Sequence, residues 1–550
     1  MSIFSIGLSG LSAAQTALST TSNNLSNVYT EGYNRQVTIL GESYSNGSTG
    51  TGVSVDEVQR QFNSYVTEQY NDANSQKSAL ESYQSQVSQI DNLLADSDAG
   101  LAPLVQDFFS SLDDLSGAAS DPAAREGVLG SASSMAAQFR SFDSYLSDMR
   151  DSLNGQLEGT VTDINNTATQ IASLNDQITQ ARAKSGGEEP NTLLDKRDKL
   201  VSDLNELVGA ELNVQDGKTY NINLENGQPL VSGTRSYDLE AVSSNEDPSR
   251  TVIGYRDAAG NINQIDDGAF ENGELGGLLS FRNETLDSVQ NQLGRMTVVL
   301  GSEFNAVHES GKDLNGDDGE AFFNIGSPRV MSNSQNDGNA AITADYSDVN
   351  QLTSSDYRIT ATGDDDVYQA ERLSDGKTTT LTLDGDDKAS LDGVSLTFSG
   401  TAQEGDTFML QPTRTASQDF EVAISDGAEI AASSSADGDD SNGEVGSGNN
   451  ENALALLDLQ SEKIVGGTSS ISDAYASLVN DVGNTTNITQ VNLDAQSALT
   501  EQLREYQQSE SGVNLDEEYA NLMRYQQYYQ ANARVIDVGS TVLDSVLQLR

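Results

Sequence analysis

Two constellations in this sequence have spacings that suggest chemistry. Asp313-x-Asn315-x-Asp317 opens like a calcium loop, in which oxygens at alternate positions face a hard cation. The match then fails: the sixth position, which needs glycine for a sharp turn, is Asp318, and the twelfth, which should bring a bidentate glutamate, is Asn324. A turn between a helix and a strand is the reading left for 313–324. The single histidine, His308, could act as a base beside a serine and an aspartate, but no nucleophile elbow accompanies it. It stands at the end of a helical stripe (Leu286, Val289, Leu293, Met296, Leu300), where a structural or helix C-terminal role fits better. Gly50-x-Gly52 lacks the third glycine and the strand–helix setting of a dinucleotide loop. Among 84 carboxylates, pairs spaced for glycosidic chemistry arise by chance. No catalytic residue, metal or cofactor is expected.

The bulk composition limits the rest. A chain of 550 residues with 36% apolar side chains can bury several real cores. With 29 basic and 84 acidic residues its formal charge is −55. Nucleic acid and anionic membranes want clustered Lys and Arg and are poor partners. Copies this acidic repel one another, and salt shortens that repulsion to about 3 Å at 1 M; a saline setting is expected. There is no Cys, so disulfides and thiolate chemistry are excluded, and one histidine cannot build a His/Cys zinc site. No apolar run approaches the roughly 18 residues a membrane helix needs. The first basic residue is Arg35, so a cleavable secretory signal is not expected.

Elements at the two ends carry the clearest pattern. Met1 to Thr30 contain no charged side chain, in a chain that is 21% charged. Phe4, Leu8, Leu11, Gln15, Leu18, Ser22 and Leu25 step by four and three, a heptad seam on a helix. The other faces carry Ser, Thr, Gly and Asn, so this helix is barely stable alone and needs a partner. Leu515, Tyr519, Leu522, Gln526, Tyr529, Ala533, Ile536, Ser540, Leu543 and Leu547 repeat the alternation at the other end. The termini are therefore expected to meet as a coiled coil, with these seams as the assembly surface. The blander alternative is two amphipathic helices on a central core. After the first helix, Asn23, Asn24 and Asn27 can bond freed backbone groups, Gly32 permits a tight turn, and Tyr33 follows.

The interior reads as nested insertions. Residues 36–60 look extended or linker-like. From 61 the pattern is helical: Leu80, Tyr83, Val87, Ile90 and Leu94 step by three and four, and Leu153, Leu157, Ile164, Ile171, Leu174 and Ile178 share a face. Asp121-Pro122 reads as a cap and first-turn pair. The charges from Asp195 to Lys199 read as a solvated helix face. A small β excursion is expected over 210–273, with turns at Asp216-Gly217 and Asn226-Gly227. An acidic β domain is expected over 328–451, with Asp437 to Gly443 as a solvated loop. Ile471, Tyr475, Leu478 and Val482 return to the helical period. The fold class is thus multi-domain: a terminal α-helical coiled coil (1–35 with 512–550), a long-helix bundle (61–327 with 452–511) and inserted β-rich material.

Two stretches, SNNLSNVYTEGYNRQ (Ser22 to Gln36) and NLDEEYANLMRYQQYYQANARVI (Asn514 to Ile536), resemble the terminal signatures of the bacterial flagellar axial proteins of rod, hook and junction. The inner segments LLDKRDKLVSDLNELVG, NGQPLVSG, GELGGLLSFR and FNAVHESGKDLNGDDGEAFF resemble the hook–filament junction branch of that family. The resemblance covers most of the chain and is thinnest near 330–450. It implies a structural protein of the extracellular flagellum, exported uncleaved by the flagellar type III route. It also implies self-association in a ring, with a terminal coil lining a channel. The implied partners are the hook protein, a second junction protein and an export chaperone at the C-terminal helix. Another axial protein, hook or flagellin-like, and a secreted hydrolase are the alternatives, and a surface adhesin role for the β domain could coexist.

Overall fold

The uncharged N-terminal stretch forms helix α1 (Ile3–Ser26), and a turn leads from it into a hairpin of β1 (Gln36–Glu42) and β2 (Val53–Arg60). This computed structural model describes residues 3–43, 52–96, 100–185, 188–215, 218–257, 259–364, 366–434 and 448–548. Gly50, the Asp216-Gly217 turn and the Asp437 to Gly443 loop lie outside them. The segment read as linker-like is a paired hairpin, in register from Gln36↔Arg60 to Glu42↔Val53 with one bulge at Ile39/Leu40, and it lies against α1.

Helices then accumulate: α2 (Ser64–Leu94), α3 (Leu101–Gly117), α4 (Pro122–Ser185) and α5 (Asn191–Leu207). Asn63 caps α2 by accepting from the Tyr65 and Val66 amides. Asp121 accepts from Ala123 N–H at 2.9 Å where Pro122 opens α4, and that helix continues unbroken for 64 residues. Its length is underwritten by one apolar face: Leu153, Leu157, Ile164, Ile171 and Ile178 are all buried. Two antiparallel sheets follow, one of four strands between Ala210 and Ser236 and one of three between Leu239 and Gln264. Next come α6 (Gly273–Ser280), a π-helical turn (Phe281–Leu286) and α7 (Asp287–Glu309).

The inserted β unit has a five-stranded antiparallel sheet, ordered Arg329–Ser332, Thr407–Gln411, Tyr357–Ala361, Val367–Arg372, Lys377–Thr382, and a three-stranded one. The chain leaves this unit earlier than the expected boundary near 451. Phe420, Ile430 and Ala432 are buried in the helical core instead, because Phe420 stacks on Phe323 at 4.8 Å and joins the ring cluster of Phe108, Phe304 and Phe322. The β unit has its own core, around Ile359, Leu396, Phe408 and Leu410, into which Val298 of α7 reaches. Arg414 holds the seam between the two, pairing with Asp287 at 2.6 Å and with Asp356, while Arg250 takes the other Asp287 oxygen at 2.7 Å. The chain closes with α8 (Glu451–Asp458), α9 (Ile471–Ser511) and α10 (Leu515–Gln548). A Ser470–Asp473 capping box starts α9, which lies along α2 and buries Ile471, Tyr475, Leu478 and Val482.

Candidate assembly interface

The two termini do meet: α10 runs antiparallel along α1, with Gly7 beside Ile536, Gly10 beside Asn532 and Asn24 beside Glu518. The contact face differs from the expected seam. The buried residues of α1 are Gly7, Gly10, Ala13, Ala14, Ala17, Thr20, Thr21 and Asn24, one position N-terminal to the leucine stripe. On α10 the buried residues are Glu518 and Gly539, flanked by half-buried Leu522, Tyr525, Asn532, Val535 and Ile536. The offset has a steric cause. A Cβ on Gly7 would come within 2.8 Å of Ile536 Cγ1, and one on Gly539 within 2.8 Å of Ile3 Cγ2, so small residues let the backbones approach where leucines would hold them apart. The stripe is turned out: Phe4, Leu11, Leu18 and Leu25 are half-buried and Leu8 is 62% exposed. On α10, Leu515, Leu522 and Ile536 are half-buried, while Tyr519, Tyr529, Leu543 and Leu547 are exposed. Beyond Gly539, α10 continues past the start of α1, and Val542, Leu543, Val546 and Leu547 are each more than half exposed.

At the inner end of the coil the signature turn forms a clasp. Asn24 is buried; its Nδ2 donates to Gln36 O (2.8 Å) and Glu518 Oε2 (3.1 Å). Its Oδ1 accepts from Tyr33 Oη (2.8 Å) and Gln36 N–H (3.0 Å). Arg35 holds two of the three acids of the first turn of α10, Glu518 through Nε and Glu517 through a terminal nitrogen, each at 2.8 Å. Its backbone N–H also donates to Ser511 O at 2.8 Å, where α9 ends. Asn27 donates to Asn23, tightening the last turn of α1, and Gly32 adopts φ +75° against the Lys199 side chain. Burial pushes the Tyr33 hydroxyl well above its ordinary pKa, and the nearby Asp195 and Glu518 carboxylates add to the shift.

The body of the molecule answers this clasp through α5, and here a second expectation is corrected. Asp195, Arg197 and Asp198 do not form a solvated face; all three are buried. Asp195 Oδ1 accepts from Asn34 Nδ2 (2.7 Å) and Arg60 (3.1 Å), and Asp198 pairs with Arg60 at 2.5 Å. The Arg197 guanidinium lies 3.3 Å from the Tyr220 ring centre. Burial raises the Asp195 pKa even though Asn34 and Arg60 work against the rise. Sequence reasoning missed Arg35, Arg60, Glu517 and Glu518. Arg35 did carry a signal, as the first basic residue of the chain, four places after the uncharged run ends at Thr30.

The residues considered for chemistry are occupied structurally. His308 is fully buried; Nε2 accepts from Ala431 N–H at 2.9 Å, so the proton sits on Nδ1, which donates to Glu320 O at 2.7 Å. The Asp313 carboxylate accepts from the Asn315 and Asp317 amides, both at 2.8 Å, closing its own turn. Among the described residues no cluster of three or more His, Asp or Glu could hold a metal, and no helix is long and apolar enough to cross a membrane.

The chain resembles known proteins along its length. Residues 4–34 match the family model for flagella basal body rod protein, and residues 507–549 that for the flagellar basal body rod FlgEFG protein C-terminal. The terminal coil is thus of the flagellar axial class. Residues 87–323 match the helical domain of flagellar hook-associated protein FlgK, and residues 331–412 the D2-like domain of flagellar hook-associated protein 1. The chain is 44% identical over 555 residues to flagellar hook-associated protein 1 of Escherichia coli strain K12, covering 100% of each. With the Bacillus subtilis strain 168 protein of that name it shares 27% identity over 583 residues, covering 98% and 96%. The solved flagellar hook junction protein FlgK from Burkholderia pseudomallei superposes with a TM-score of 0.74 at 29% identity, covering 80% of this chain and 99% of that one. The chain belongs to the flagellar hook-associated protein 1 family and is a structural component of the bacterial flagellum.

Proposed function

We propose that this chain is the adaptor that joins the flagellar hook to the filament, built into the axis by its terminal coil. The observation that carries the reading is the apolar surface left on both terminal helices. Leu8, Tyr519, Met523, Val542, Leu543, Val546 and Leu547 are each more than half exposed, and the last four crowd the end of α10, exposed apolar surface of the kind that marks an interaction site. Burial of that surface between neighbouring subunits completes helices whose own sequence barely sustains them. The assembled form is a ring of sister chains, with the hook protein on one side and a second junction protein on the other. Export runs uncleaved through the flagellar type III route, with a chaperone on the C-terminal helix. The units that take part are the coil (1–35 with 512–550), the hairpin at 36–60, the helical body and the acidic β unit.

Two experiments test this. Cells lacking the chain should carry hooks without filaments and lose filament monomer to the medium; normal filaments would refute the adaptor role. Leu11→Asp puts a charge into the stripe while leaving the body untouched. It should abolish incorporation with the helical body still folded by circular dichroism, and normal incorporation of that variant would count decisively against the coil's role.

A further inference from the structure

We infer that the outer half of α9, beyond Gly483, rolls about its own axis between two seats on α2. The inner half is fixed: Ile471, Tyr475, Leu478 and Val482 are buried in the helical core. Past Val482 the make of the contact changes. Thr486, Thr489, Leu493, Gln496, Thr500, Leu503, Gln507 and Ser511 continue the seam in steps of three and four, and of these Thr489, Thr500 and Ser511 are the buried members. Gln496 donates to the Ala73 carbonyl and Gln507 to the Thr67 hydroxyl, both at 2.9 Å, so this mostly polar seam is the one set against α2. The half of α2 alongside is of the same kind and buries Asn71, Asn74 and Ser75. Side-chain oxygens of Asn71, Ser75 and Ser511 are buried with no hydrogen-bond partner among the described residues, a costly state for a permanent contact.

A second seam lies about a third of a turn round the same helix. Ile488, Val491, Ala495, Leu499, Gln502 and Tyr506 step by three and four without a charge among them, and all are exposed. The sequence also supplies a joint between the fixed and outer halves: Gly483-Asn-Thr-Thr-Asn487, a run of residues poor at holding an α-helix. Wound at about three residues per turn in place of about 3.6, such a run rotates everything beyond it by about 100°. That rotation brings Ile488 to the place of Thr489 and Tyr506 to the place of Gln507. The apolar seam then replaces the polar one against α2, and the gain is apolar surface removed from water. The loss is the two glutamine bonds and the 2.6 Å bond from Asn63 to Glu510, none of them fully buried. Because Arg35 N–H grips Ser511 O at the end of α9, a roll is delivered to the clasp and so to the coil.

The chain has no cysteine, so single pairs can be placed in it. In the purified full-length chain, Thr67→Cys is combined with Gln507→Cys, Tyr506→Cys or Gln508→Cys. A short bismaleimide is added, and links within one chain are measured by mass spectrometry. The 67–507 pair reports the polar seat and the 67–506 pair the apolar one, while position 508 lies as far round on the other side. The 507 link should form fastest, the 506 link next and the 508 link well below both. Equal yields at 506 and 508 would mean fraying, and no link at 506 would mean a single seat; either result overturns the inference. Gly483→Ala has room, since the added Cβ meets nothing nearer than Asp91 Oδ1 at 3.4 Å, and it favours an unbroken α-helix. It should cut the 506 link by about two- to fivefold, alanine's helical advantage over glycine expressed as a population, while the 507 link persists and shows the fold intact. Thr489→Val with Thr500→Val makes the polar seat apolar and should act in the same direction. A 506 yield that either variant leaves unchanged would also overturn the inference.

Discussion

Asn24 has all four hydrogen-bonding positions engaged inside the clasp, so its removal is felt on several elements together. Asn24→Ala leaves the Gln36 amide and carbonyl, the Tyr33 hydroxyl and a Glu518 oxygen short of partners. A buried group left unmatched costs about 1–3 kcal/mol, so the coil should loosen from the body by roughly 2–4 kcal/mol. Amide exchange read by segment checks this: α1, Gln36 and the first turn of α10 should lose protection while the buried middle of α4 keeps it. Two buried titrating groups have opposite effects. Burial raises the Asp143 carboxyl to about 6, with Arg150 opposing the rise and Asp419 adding to it. Its folded pKa exceeds the unfolded one, so it favours the folded state at low pH and that contribution is lost as pH rises to about 6. Burial lowers the His308 pKa, with the Glu320 carbonyl opposing that shift. Stability from neutral His308 is therefore full above its unfolded pKa of about 6.5 and declines as pH falls below it. Asp143→Asn should stabilise the helical body at pH 7, by about 1–2 kcal/mol once partial solvent screening is allowed for. In that variant the acid-side loss from His308 should stand out below pH 6.5. Melting curves from pH 4.5 to 8 decide both, and an unchanged profile in Asp143→Asn would remove Asp143 as a titrating group.

At the scale of elements, apposition depends on where side chains are missing. A Cβ on Gly294 of α7 would land on the Thr413 carbonyl oxygen, where the β unit returns to the body. Backbone cannot swing aside as a side chain does, so Gly294→Ala should cost roughly 3 kcal/mol and detach that seam. Limited proteolysis near 413, compared with the parent chain, reports the detachment. The same logic explains what could be read beforehand. Heptad stepping in the leucines and tyrosines announced both terminal helices, and the apolar faces of α2, α4 and α9 lay where periodicity put them. The face of α1 that touches α10 was illegible because hydrophobic periodicity weighs large side chains, whereas this contact selects small ones. The clasp was half legible: the asparagines and Gly32 stood out as turn chemistry. The buried state of Asp195 and Asp198 depends on Arg60, more than a hundred residues earlier in the chain, and nothing local to α5 announces it.

At the scale of the molecule, a formal charge of −55 has to coexist with close packing among copies. The apolar coil is free of that conflict in α1, and the acids are spread over the rest of the chain. Added salt shortens the repulsion from a Debye length of about 10 Å at 0.1 M to about 3 Å at 1 M. Thermal stability and incorporation into flagella should therefore both rise over that range, and flat curves would separate the acidity from any role in saline surroundings. Several transitions are expected in the melt, since body and β unit have separate cores.

The unequal lengths of the two terminal helices have a consequence for direction. α10 runs on from Ser540 to Gln548 after α1 has stopped near Gly539, so the double rod is flush at the clasp and ragged at the tip. A bundle of such rods has a top and a bottom. In the proposed assembly such subunits would interlock in one sense only, and a junction built from a single kind of chain would have an arrow from base to tip.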